Sequence, residues 1–110
     1  MGSWVVIVEH HSEGRNDDRE VLGGAGGTRE QALDTLRSIV HTYLPRPRIT
    51  EKWRQVYRLA DRESYVVIIR GTMTQWHCTL RVAELVADSR DPSVAWRAQA
   101  EDAGQPPAHP

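Results

Sequence analysis

The sequence predicts a single small α+β domain, a mostly antiparallel sheet in β-β-α-β-β-β order with one main amphipathic helix packed on one face. Two patterns carry this reading. Residues Thr28 to Leu44 (TREQALDTLRSIVHTYL) repeat apolar side chains at spacings of three and four, whereas the flanking segments alternate at two or run as short β-branched blocks. Length adds a third constraint, because 110 residues suffice for one core and are too few for two. The predicted domain occupies residues 1–88.

In chain order, Ser3 to His10 (SWVVIVEH) is too short and too β-branched for a helix and reads as a strand. Trp4, Val6 and Val8 point one way and Val5 and Ile7 the other, so both faces are apolar, as on an inner strand. His11 to Asp18 reads as a polar loop with Gly14 and Asn16 as turn formers, and Arg19 to Leu22 as a short strand pairing back on the first. Thr28 with Gln31 three positions on is a capping box that starts the helix. Ala32, Leu33, Leu36, Ile39, Val40 and Tyr43 form its buried stripe, and Pro45 supplies the stop.

After the stiff Pro45 to Pro47 connection, Lys52 to Leu59 alternates, with Trp53, Gln55, Tyr57 and Leu59 opposite Lys52, Arg54, Val56 and Arg58. Asp61, Arg62 and Glu63 are the expected turn. Ser64 to Arg70 is apolar on both sides, Tyr65, Val67 and Ile69 against Val66 and Ile68. Gln75 to Val82 alternates most cleanly, Trp76, Cys78, Leu80 and Val82 against His77, Thr79 and Arg81. Residues 83–87 fit either an extended strand or a helix start. Asp91 and Pro92 form an N-cap and first-position pair for a short C-terminal helix within 89–104, and 105–110 reads as a disordered tail. Trp4, Trp53 and Trp76 are expected to supply much of the core, since the chain has no Phe.

Composition narrows the compartment. A single cysteine, Cys78, excludes an intrachain disulfide framework. The longest apolar runs, Trp4 to Val8 and Tyr65 to Ile69, fall far short of the ~18 residues a membrane helix needs, and the first residues do not read as a secretory leader. A cytoplasmic protein is expected, without a membrane partner. All but one of the 14 basic residues are arginine, which suits the coding bias of a GC-rich bacterium. Net charge is −1 overall, yet residues 46–81 hold eight basic side chains against Glu51, Asp61 and Glu63, giving this stretch +5 and the remainder −6.

Three constellations bear on function. Gly23-Gly24-Ala25-Gly26-Gly27-Thr28 precedes a helix, but lacks the Gly-Lys-Ser/Thr ending of a phosphate loop and the third glycine of a dinucleotide fingerprint, so it reads as a connector. His10 and His11 are sequence neighbours on a strand and point to opposite faces, as do His77 and Cys78, so neither pair serves one ion. No catalytic residue, metal ligand or cofactor is expected. Cys78 shares its face with Trp76 and Leu80 and reads as a buried, inert thiol.

The third constellation is the strand face turned away from the helix. By parity it is expected to hold Arg54, Val56, Arg58, Val66, Ile68, Arg70, His77 and Arg81, an apolar centre framed by arginines, which is the anatomy of a protein interface. One helix shields one face of a sheet, so Val5, Ile7, Val66 and Ile68 need another cover. The functional expectation is a non-enzymatic domain that uses this face for homodimerisation or a protein partner. The alternatives are a small-molecule or enzymatic pocket between helix and sheet, and nucleic-acid binding through the arginine-rich segment 46–81. Stacking aromatics on that face would favour nucleic acid, but parity assigns Trp53, Tyr57 and Trp76 to the other side.

Overall fold

A computed structural model of the chain describes residues 3–12, 15–22 and 27–90. The glycines at 23–26 and the stretch 91–110, for which the sequence suggests a helix and a tail, lie outside the described residues. The elements are β1 (Trp4–Ser12), β2 (Arg15–Leu22), α1 (Arg29–Ile39), β3 (Trp53–Arg58), β4 (Ser64–Arg70) and β5 (Gln75–Glu84), in the predicted β-β-α-β-β-β order. The five strands form one sheet in the order β2-β1-β5-β4-β3, with every neighbouring pair antiparallel. The first hairpin joins the later meander through β1 and β5.

This topology explains where the helix sits. The chain leaves β2 at one edge of the sheet and re-enters it as β3 at the other, so the connection must cross a face, and α1 is that crossing, packed on the central strands β1 and β5. Its start is the predicted capping box. Thr28 Oγ1 accepts from Gln31 N at 3.1 Å, and Thr28 N donates to Gln31 Oε1 at 2.9 Å. Leu33, Leu36 and Val40 then interlock with Val6, Val8, Tyr65, Val67, Ile69, Cys78 and Leu80 in one buried cluster. Each fully buried aliphatic side chain there contributes about 1.5–3 kcal/mol of transfer free energy.

Three expectations are corrected and one open alternative, at residues 83–87, is resolved. The helix ends at Ile39 rather than Leu44. Tyr43 N donates back to Ile39 O at 2.7 Å, so Val40 and Tyr43 keep their places against the core in a closing turn, well before Pro45 is reached. β2 is longer than predicted because an edge strand tolerates polar side chains. Residues 83 and 84 continue β5, where Trp4 pairs with Glu84 and Val5 with Ala83.

The third correction is the parity of β3. Trp53 pairs with Arg70, Gln55 with Ile68 and Tyr57 with Val66, while Arg54, Val56 and Arg58 pair with Ile69, Val67 and Tyr65. Cross-strand partners share a face, so Arg54, Val56 and Arg58 lie on the helix side and Trp53 and Tyr57 on the other. Trp53 is accordingly not a core residue but 44% exposed. A four-residue loop causes the exchange. Leu59 N donates to Ser64 O at 2.9 Å, and Arg62 N turns back to Leu59 O at 2.9 Å. A three-residue turn at 61–63 would shift the register by one and reverse every side chain of β3.

Candidate interaction surface

The sheet face opposite α1 is covered by no other element among the described residues, and the strand registers specify its layout. One row runs Val21, Ile7, Arg81, Ser64; the next Arg19, Glu9, Thr79, Val66, Tyr57; the next His11, His77, Ile68, Gln55; the last Gln75, Arg70, Trp53. Ile7, Val66 and Ile68 are half-buried by their neighbours, whereas Val21 and Tyr57 are 61% and 50% exposed. The result is an apolar strip interrupted at β5, where His77, Thr79 and Arg81 stand between Ile7 and the pair Val66 and Ile68, and widened at the β3 edge by two aromatic rings.

Polar groups frame that strip. Arg19 Nη2 donates to Glu9 Oε2 at 2.9 Å, and this bond, with Arg81 adding to it, holds the Glu9 carboxyl below its ordinary range. The His11 and His77 rings stack across β1 and β5 at 5.2 Å and 6° between planes, and Gln75 Nε2 lies 3.3 Å from His77 Nε2. Of the side chains expected here, Val66, Ile68, Arg70, His77 and Arg81 are brought together. Arg54, Val56 and Arg58 are not, and Trp53, Gln55 and Tyr57 take their place.

Arg54 has a structural task instead. Its side chain is only 8% exposed, Nη1 donates to Val40 O at 3.0 Å, Nη2 to Tyr43 O at 2.8 Å, and Glu51 neutralises it at 2.7 Å. A buried cation thereby satisfies carbonyls at the C-terminus of α1, where the helix dipole favours positive charge. The hydrogen bonds that Arg54 donates to the Glu51 carboxylate keep that carboxyl below its usual range.

The histidines and the cysteine separate as alternation requires. His10 is buried on the helix side, between Tyr43 and Trp76 at ring distances of 6.3 and 6.1 Å, while His11 is exposed on the far side. His10 Nδ1 has no hydrogen-bond partner, and Nε2 is 4.0 Å from Glu20, which instead accepts a hydrogen bond from the Tyr43 hydroxyl. Burial and this bond raise the Tyr43 pKa. Cys78, cross-strand from His10, is fully buried, and desolvation pushes its thiol up to about 12. Among the described residues no group of three or more His, Cys, Asp or Glu side chains is placed to hold a metal ion.

Beneath α1 the sheet is filled by core side chains; a concavity on that side lies at the flank, between the end of α1 and the β3–β4 hairpin. No described helix is long and apolar enough to cross a membrane. In comparison with known proteins, the chain matches no protein family, no curated protein and no solved structure.

Proposed function

We infer that this chain is a non-enzymatic interaction module whose open sheet face docks a protein surface, in the first place a second copy of itself. The observation that supports this is the strip formed by Ile7, Val66, Ile68 and Tyr57, apolar side chains on a face that no described element shields. Soluble proteins rarely leave a patch of this kind bare. Completing the burial of each half-covered aliphatic is worth about 1 kcal/mol, since roughly half of its 1.5–3 kcal/mol is already realised.

Charge is compatible with self-docking. The face carries both signs, Glu9 paired with Arg19 beside the exposed Arg81, so two copies related by a two-fold axis do not meet as surfaces of one sign. Sedimentation equilibrium tests the reading. Wild-type chain should approach twice its single-chain mass as concentration rises, and Ile68→Asp should hold it at one. A single-chain mass for the wild type throughout would remove self-docking and leave a foreign, carboxylate-bearing protein as occupant.

A second reading has one observation in its favour. Trp53 and Tyr57, 44% and 50% exposed, stand on the same face as Arg70, and single-stranded nucleic acid binds to sheets that offer stacking rings beside arginine. It predicts quenching of Trp53 fluorescence by a single-stranded oligonucleotide and retention on heparin with a steep salt dependence. Absence of both removes it.

A further inference from the structure

A different surface carries a separate inference. Between the end of α1 and the β3–β4 hairpin lies a groove of about 820 Å³ whose lining includes Arg37, Val40, Val56, Arg58, Arg62 and Tyr65. Its floor is apolar, with Val40 and Tyr65 buried and Val56 half-buried. Its rim is cationic. Arg37, Arg58 and Arg62 are exposed, and among the described residues none of the three is in an ion pair. Among the described residues no carboxylate lines the groove; Asp61 in the same hairpin accepts hydrogen bonds from Glu63 N, Ser64 N and Ser64 Oγ, and Glu51 and Glu63 are paired with Arg54 and Arg29.

The groove also runs beside an open backbone. Among the described residues β3 is the last strand of the sheet and pairs only with β4. Because Leu59 N bonds to Ser64 O, odd-numbered residues of β3 direct their amides and carbonyls to β4, and by alternation those of Arg54, Val56 and Arg58 point to the free edge. An unpaired edge of this kind is a template for another extended chain.

We propose that this edge and groove form a docking site for an extended acidic peptide, which adds to β3 as a sixth strand and sets its carboxylates against Arg37, Arg58 and Arg62. Backbone pairing supplies the register and the guanidiniums select for negative charge, so the alternate side chains that face the groove are the acidic ones, and their aliphatic stems lie over the floor at Val56 and Tyr65. Polarity follows from where the unpaired guanidiniums lie: at the start of β3 Arg54 is already paired with Glu51, whereas Arg58 and Arg62 stand at the hairpin end, so the peptide's charge gathers there.

The experiment uses the full chain and three fluorescently labelled hexapeptides: alternating glutamate and valine, the same peptide N-methylated at alternate amides, and the lysine-valine counterpart. The proposal expects the first to bind, with slowed amide exchange at Val56 and Arg58 and affinity falling as salt rises, and the other two to fail. The doubly substituted Arg58→Glu, Arg62→Glu chain should bind the first peptide at least about tenfold more weakly, with an unchanged melting temperature showing that the fold is intact. Failure of the first peptide to bind overturns the proposal. So does equal binding of the N-methylated peptide or of a single-stranded oligonucleotide, since the site would then attract anions without pairing to the strand.

Discussion

Arg54 and Arg58 show how little a residue's type says about its work. They are four positions apart on one strand, yet the first is almost enclosed and bound to Val40 O and Tyr43 O, and the second is exposed. Hydrogen bonds from a charged donor are worth about 1.5–3 kcal/mol each, so Arg54→Ala should lower the unfolding free energy by about 3 kcal/mol in urea titrations, whereas Arg58→Ala should stay within about 0.5. Equal losses would show that the cap is not formed. Cys78 gives a second check. Its thiol should react with an aromatic disulfide only as fast as the protein unfolds, because it is wholly buried. A folded-state value raised from near 9 to about 12 means that its contribution to stability is complete below pH 9 and is lost as pH climbs toward 12, a slope that Cys78→Ala should reduce. Rapid labelling of the folded protein would contradict the burial.

Among the elements, the helix was legible and β3 was not, for physical reasons. Thr28, Gln31 and the stripe from Ala32 to Val40 act locally, and a capping box and a 3.6-residue repeat have one solution. β4 and β5 were equally readable, since Val67, Ile69, Cys78 and Leu80 sit under the helix. β3 is an edge strand whose helix-side residues meet a groove and a capped helix end, so its pattern of Trp, Arg, Gln, Val, Tyr and Arg obeys no inside-outside rule. Its parity is set by the loop, whose length composition did not reveal. Arg62 takes φ 61° there, and the Asp61 carboxylate accepts from Glu63 N and Ser64 N at 2.9 and 3.0 Å, so the four-residue form is held from both sides. A left-handed backbone costs a non-glycine residue about 1 kcal/mol. Arg62→Gly should therefore raise the unfolding free energy by about 0.5–1 kcal/mol, and a loss of that size would mean that the turn is of another kind.

For the molecule as a whole, the candidate face was half legible. Val66, Ile68, Arg70, His77 and Arg81 were assigned to it correctly, because β4 and β5 carry unambiguous alternation. Arg54, Val56 and Arg58 were exchanged with Trp53, Gln55 and Tyr57 by one step of register, and that step turns a strip framed by arginines alone into one that also ends in two aromatic rings. The need for cover arises from topology, since one crossing helix shields one side of five strands. The most direct test of that coverage is the solution mass of the wild-type chain and of Ile68→Asp across a wide concentration range. Concentration-dependent growth toward two chains, abolished by the aspartate, is the predicted result; one chain at every concentration for both proteins would contradict self-docking through this face.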